Sequence, residues 1–469
     1  MTFGKILKKP SNLIAGLGLI LALALAIVPP EIYSDELTTN TVWAGALALG
    51  TIVLFATGIV PEFITAIVFF AIAMLFSLAP ASIIFSGFQS AGFWMVFGGL
   101  IIGSGISSTG LAQRLAHHIQ KRFGTGYAGV ISGIIIIAVS MAFLMPSTLG
   151  RLMILLPIVL TMAEGFGYRV GSNGRAGMVL AVSFGTMIPG FAIMSATVPA
   201  MVVIGTADTL YNIRPTYGAW LLLHFPILGA LKAIVITLLI VWLFPDSTPK
   251  LKTAKVEYPQ TMAKRERTMA LLLVLALVAW MTDFIHHVSP AWVALGVAGI
   301  MIMPFLGIVN IQKLQESTNF GSLFYLGGVL GLGALVAHGG VGDFLAQTVI
   351  PLMQLSPGQD TWNFAAIAGL SSILAMFVTQ PGSPAILTPL ASSIAEAAAL
   401  PVETVLMLTV VGYTTVILPY QTPPLVIAMQ LGGVPIGKGS KLCLCLLIIT
   451  VFVLIPLDYL WWRLLGWLP

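Results

Sequence analysis

Apolar residues in this chain do not alternate with polar ones. They run in blocks of close to 20 positions that recur from residue 12 to residue 460. At 1.5 Å per residue, about 20 such residues carry a helix across a hydrocarbon core of about 30 Å. The blocks predict spanning helices near 12–29, 42–59, 62–79, 91–108, 175–203, 224–244, 269–284, 290–308, 320–338, 402–430 and 441–460, about 11 in all. Two further apolar stretches, 127–166 and 361–400, are broken at their middles by Gly, Pro and polar side chains. They predict re-entrant helical hairpins that enter the bilayer and return to the side they came from. The expected fold is an all-α polytopic membrane protein.

Composition agrees: 58% of the 469 residues are hydrophobic and 8% charged, with a mean hydropathy of +1.02, outside the range of soluble domains. The first block, Asn12 to Val28, follows Lys5, Lys8 and Lys9. Its exit at Pro29-Pro30-Glu31 lacks the small residues of a cleavage site, so an uncleaved first helix is expected. Cys443 and Cys445 lie inside an apolar run, as small hydrophobes do. The net charge of +5 is explained by topology rather than by nucleic acid. With the N-terminus in the cytoplasm, 17 of the 21 Lys and Arg fall in cytoplasmic segments, while 29–41, 79–90 and 339–360 contain none. That asymmetry favours reading both interrupted stretches as hairpins; the expected location is the cell's inner (plasma) membrane, with the N-terminus in the cytoplasm. The loop 245–268, with Lys264-Arg265-Glu266-Arg267, divides the chain nearly in half and reads as a solvated cytoplasmic linker, with anionic lipid as a second partner for its basic run.

Landmarks recur in the same order on either side of that linker. Gly98-Gly99-Leu100 is matched by Gly327-Gly328-Val329, Leu156-Pro157-Ile158 by Thr388-Pro389-Leu390, and Ala196-Thr197-Val198-Pro199-Ala200 by Gln421-Thr422-Pro423-Pro424-Leu425. Charge puts the two hairpins on opposite sides, so residues 1–244 (hairpin 127–166) and 269–469 (hairpin 361–400) are expected to be inverted repeats about the linker. Inverted repeats with matching breaks mark alternating-access transporters, whose site lies near the midplane at the repeat interface.

A hairpin tip leaves backbone groups unpaired and must line a wet cavity or be covered by protein. The tips, Met145-Pro146-Ser147-Thr148-Leu149-Gly150-Arg151 and Val378-Thr379-Gln380-Pro381-Gly382-Ser383-Pro384, offer hydroxyls and helix N-termini that favour an anion. Candidate substrate-binding residues are Ser147, Thr148, Arg151, Thr379, Gln380 and Ser383, with Thr197 and Thr422 at the later breaks, and the tips are expected to face each other across one cavity. Arg151 demands a partner, because a guanidinium near the bilayer centre costs about 2.5–3.5 kcal/mol on insertion scales. Two readings stay open: an ion pair with Glu164 or Glu62, or an anion clamp or fixed cation. Lys232 is either buried or snorkelling to an interface. His117-His118 and His286-His287 have no metal-ligand spacing, and no catalytic constellation or cofactor motif is present.

The order of elements resembles the divalent anion:sodium symporter family, within the ion transporter superfamily, over nearly the whole chain. In that family each tip carries a Ser-Asn-Thr motif ahead of a Pro, and each repeat later has a Thr-Pro-Pro-Asn-like break. Here Ser147-Thr148-Leu149, Thr379-Gln380-Pro381, Thr197-Val198-Pro199-Ala200 and Thr422-Pro423-Pro424-Leu425 stand at those places, each without the Asn. The resemblance implies transport of a small anion (a dicarboxylate, sulfonate or sulfate), a homodimer and elevator-like motion. The missing Asn residues and Arg151, two residues beyond the first motif, leave sodium, proton coupling and anion exchange open. Competing readings are a cation/proton antiporter of the same superfamily, which needs intramembrane acids, and a non-transporting scaffold, which has no need of broken helices.

The charge pattern makes a direct prediction. Single cysteines at positions 35 and 360 are expected to react with an impermeant reagent in intact cells, and one at position 264 only after permeabilisation; the opposite pattern refutes the orientation.

Overall fold

The computed structural model describes residues 10–28, 38–111, 114, 126–145, 147–246, 261–309, 312, 314, 321–377 and 380–469, and every regular element among them is helical. The helices are α1 (Pro10–Ile27), α2 (Thr39–Thr57), α3 (Glu62–Leu75), α4 (Ala91–Thr109), α5 (Tyr127–Leu144), α6 (Thr148–Gly165), α7 (Asn173–Met187), α8 (Val198–Tyr211) and α9 (Tyr217–Leu243). They continue as α10 (Lys264–Met281), α11 (Pro290–Met301), α12 (Gly321–His338), α13 (Val341–Met353), α14 (Asp360–Phe377), α15 (Gly382–Ala398), α16 (Val402–Tyr413), α17 (Pro423–Gly432) and α18 (Ile436–Leu464).

Among the described residues seven helices are long and apolar enough to cross a membrane, or eight if the bent pair α15 and α16 counts as one. Several expected spans are shorter than their apolar blocks. The block 290–308 yields a helix of 12 residues, and α1, α2 and α3 are also among the shorter apolar helices. The blocks 175–203 and 402–430 are each two α-helices separated by a break that holds a short 3-10 turn, Pro189–Ala192 between α7 and α8 and Pro419–Gln421 between α16 and α17. Pro199 and Pro423 open the second member of each pair, where a missing N–H costs nothing. The stretch 339–360, read as a loop, contains α13. Its polar positions hid it, because its hydrophobic residues cover one face only. Of the linker 245–268, residues from Lys264 onward already belong to α10. Glu266 in its first turn is buried and paired with Arg114, whose other nitrogen donates to the Thr261 carbonyl at 3.2 Å.

The interrupted stretches fold as helix pairs, α5 with α6 and α14 with α15. Arms of 18 residues reach about 27 Å, so length alone does not decide between a crossing and a re-entrant arm. Packing sorts most of the helices into two groups: α1–α4 with α10–α12, and α5–α7 with α9, α14 and α16–α18. Helices α8 and α15 lie between them, α8 against α4, α12, α15 and α16 and α15 against α12, α13, α14 and α16. The contact of α8 with α4 is close because it uses glycine: a Cβ on Gly92 would sit 2.4 Å from the Met201 carbonyl oxygen. Gly412 does the same within the second group, where a Cβ would meet Ser371 Cβ at 2.1 Å. Cys443 and Cys445 are free thiols, the former buried.

Candidate functional site

The two breaks approach each other, and each also touches the hairpin of its own half. The Phe191 ring, in the first break, stands edge-on to the Tyr413 ring, at the end of α16, with centroids 5.7 Å apart.

In the first half, Ser147 caps α6 by accepting from the Gly150 N–H at 3.1 Å. Arg151 is therefore in the first turn of that helix, where the dipole disfavours a cation. Apart from the Thr148 hydroxyl, its partners lie outside its own helix. The side chain is fully buried. One terminal nitrogen donates to the carbonyls of Met145 and Ala196, the latter at 3.1 Å. The other donates to the Thr186 carbonyl at 2.8 Å and the Thr148 hydroxyl at 3.2 Å. Helix ends leave carbonyls unpaired, and the guanidinium gathers those of the tip, the end of α7 and the break into one cluster. Its Nε–H is without a partner. The ion-pair reading is overturned: Glu164 bonds Arg175 at 3.2 Å, and no ion pair reaches Arg151 among the described residues.

Thr197 lies in the same neighbourhood. A Cβ on Gly190 would be 3.1 Å from the Arg151 guanidinium and 3.7 Å from Thr197 Cγ2. The Thr197 hydroxyl is buried with no hydrogen-bond partner.

The second half ties hairpin to break from the other side. Gln421 Oε1 accepts from the N–H groups of Ile417 and Leu418, both at 2.7 Å, and its Nε2 donates to the Ala375 carbonyl at 2.8 Å. Sequence reasoning missed this residue. Its signal was its place directly before Thr422 in the Gln-Thr-Pro-Pro break. The Thr422 hydroxyl donates to the Pro419 carbonyl at 3.1 Å. Gln380 is buried, with both ends of its amide unpartnered among the described residues. Ser383, expected to face a cavity, instead donates to the Ser371 carbonyl at 2.8 Å and stitches the two arms of its own hairpin, because small residues let the arms approach. Thr379 and His117-His118 lie outside the described residues. The structure thus brings Thr148, Arg151 and Thr197 together, and leaves Thr197, Gln380 and the Arg151 Nε–H as buried polar groups without a hydrogen-bond partner among the described residues. Lys232 does not snorkel; it is 1% exposed and its ammonium donates to the Thr414 carbonyl at 2.9 Å.

Apolar helices broken at buried polar points, with hydrogen-bonding groups left open between them, are the organisation of an integral membrane transport protein. The model of the sodium:sulfate symporter transmembrane region matches residues 12–468, and the chain belongs to that family. Similar proteins include a membrane protein of Cupriavidus necator, 23% identical over 393 residues that make up 81% of this chain and 76% of that one. The inner membrane protein YbhI of Escherichia coli is 24% identical over 82% of this chain and 83% of its own. The L-tartrate/succinate antiporter of Escherichia coli is 23% identical over 80% of this chain and 79% of its own.

Replacing Gln421 by Leu strips the Ile417, Leu418 and Ala375 backbone groups of their partner at once. At about 1–3 kcal/mol per buried unsatisfied group, the variant is expected to unfold well below the wild type in a detergent melting experiment. Unchanged melting contradicts the role assigned to this side chain.

Proposed function

We propose that this protein is a secondary transporter of a small anion, a dicarboxylate, sulfonate or sulfate, working by alternating access between two inverted repeats. In this reading the Arg151 guanidinium takes the place of a coupling cation. The observation that carries it is the Arg151 environment. Three backbone carbonyls and a hydroxyl surround the charge and, among the described residues, no carboxylate does, which is the oxygen cage a hard cation would select. Family membership and the similarity to a tartrate/succinate antiporter support the anionic cargo. The re-entrant hairpins, the cytoplasmic N-terminus, the homodimer and the inner-membrane location are parts of the same reading.

The cargo binds where donors are left over. Thr197, the Gln380 amide and the Arg151 Nε–H supply hydrogen bonds, Ser147 and Thr422 shape the tips, and the fixed charge offsets part of the cargo's. A guanidinium cannot be deprotonated in the working range, so the positive charge stays with the protein when the cargo leaves. A carrier of this kind exchanges one anion for another without sodium.

Counterflow of succinate, tartrate and sulfate into proteoliposomes tests this. Wild-type exchange of the accepted anion is expected to be unchanged when sodium is replaced by potassium or choline. Arg151→Ala is expected to lose exchange, and Arg151→Lys to recover part of it, since an ammonium keeps charge but not the planar fork. The emptied cage of Arg151→Ala should bind sodium and gain up to about 2.7 kcal/mol of stability at a hundredfold excess over Kd. Sodium-dependent wild-type exchange, or Arg151→Ala exchange at the wild-type rate, overturns the proposal.

A further inference from the structure

The last helix of each half carries an ionisable side chain that the anion site does not use. Helix α9 is interrupted by a π-helical segment at Phe225–Leu231, and α18 by one at Thr450–Leu454. Pro226 lies in the first segment and Pro456 just past the second; each lacks the N–H that an α-helical ladder needs, and the widened turn absorbs the gap. Lys232 follows the first segment directly, and Asp458 lies four residues past the second. Helices α9 and α18 pack together, and the Trp461 indole donates to the Leu222 carbonyl at 2.9 Å.

Asp458 is 0% exposed; neither carboxylate oxygen makes a well-formed hydrogen bond among the described residues, and the Trp462 indole N–H, itself without another partner, is the polar donor beside it. The charge that acts on it is Lys232, which approaches without forming an ion pair. His224, also 0% exposed with both ring nitrogens unpartnered, lies between the rings of Trp220 and Trp462, at 5.0 and 5.7 Å. The helices packed against Asp458 are α9 and α14; the first brings Lys232 and His224, the second only Asp360 at its half-buried first residue. The helices against Lys232 add Tyr127 and Arg175 at the starts of α5 and α7, and on α18 the charges of Lys438, Lys441 and Arg463.

A fully buried carboxylate with no more than the Trp462 indole N–H to answer it is costly, and a proton removes the cost. We propose that Asp458, with Lys232 and His224 beside it, is a proton-binding site that couples proton movement to anion movement. The link is the Lys232 ammonium, held on the Thr414 carbonyl at the point where the second broken helix opens. When Asp458 is ionised it cancels the Lys232 charge. When a proton from water adds to the carboxylate, that positive charge is left uncompensated beside the anion site. Proton and anion then favour each other's binding, reciprocally, and leave together on the far side, where the same O–H bond gives up its proton. Arg151 is a constant charge, whereas this cluster is a variable one.

The proposal rests on the anion-transport reading, so its test has a readout that does not. Infrared difference spectra of the purified full chain across a pH titration are expected to show a carboxylic C=O band that appears on acidification and is missing in Asp458→Asn. In proteoliposomes, succinate or sulfate affinity of the wild type should rise as pH falls, by up to about tenfold per unit for one linked proton, and Asp458→Asn should flatten that dependence. Lys232→Met/Asp458→Leu, which removes both charges and leaves neither unpaired, should fold and be equally flat. Wild-type spectra without the band, or both variants retaining the wild-type pH dependence, overturn the site. A protein that moves neither anion but shows the band lost in Asp458→Asn supports the proton site and fails the transport reading alone.

Discussion

A backbone carbonyl stranded in hydrocarbon costs several kcal/mol, and the centre of this protein is arranged around that cost. Breaking α7 from α8 and α16 from α17 strands such groups twice, and the two hairpin tips strand more. Each half answers with one long polar side chain that crosses from hairpin to break: Arg151 reaches from the tip to the Thr186 and Ala196 carbonyls, and Gln421 reaches from the break to the Ala375 carbonyl. Remove either and the irregular backbone has no partner. Thr197 lies beside the first of these ties, next to the Arg151 guanidinium.

The difference between the ties is charge. Gln421 is neutral and both donates and accepts, so it satisfies N–H groups and a carbonyl together. Arg151 only donates, and its setting is made of oxygen acceptors alone. A cage of that composition is selective for a positive charge whether it arrives as an ion or on a side chain. The buried pair on α9 and α18 adds a second positive charge at the other break, through Lys232 on the Thr414 carbonyl. Both broken helices therefore end against a cation supplied by the protein itself.

Much of this was legible in the sequence. Apolar blocks gave most of the helices, Pro199 and Pro423 gave the breaks, and the Gly and Pro interruptions marked where 127–166 and 361–400 divide into helix pairs, because each is a local consequence of chain geometry. Arg151 stood out because an isolated charge in an apolar run has no local explanation. The sequence could not say what answered it. Its partners are backbone carbonyls 35 and 45 residues away, and carbonyls carry no residue identity. Ser383 was misplaced for the converse reason: a hydroxyl at a tip can face the cavity or the opposite arm, and only packing decides. Lys232 and Asp458, 226 positions apart along the chain, meet only once α9 and α18 are packed together.

The central claim is that the carbonyls of Met145, Thr186 and Ala196 form a cation cage filled by a guanidinium. A high-resolution cryo-electron microscopy map of Arg151→Ala, prepared once in sodium and once in choline, tests it most directly. The account predicts an ion peak among those three carbonyls in sodium and none in choline, with both breaks otherwise unchanged. Carbonyls that turn away from the vacated space, with no peak in either salt, would contradict it.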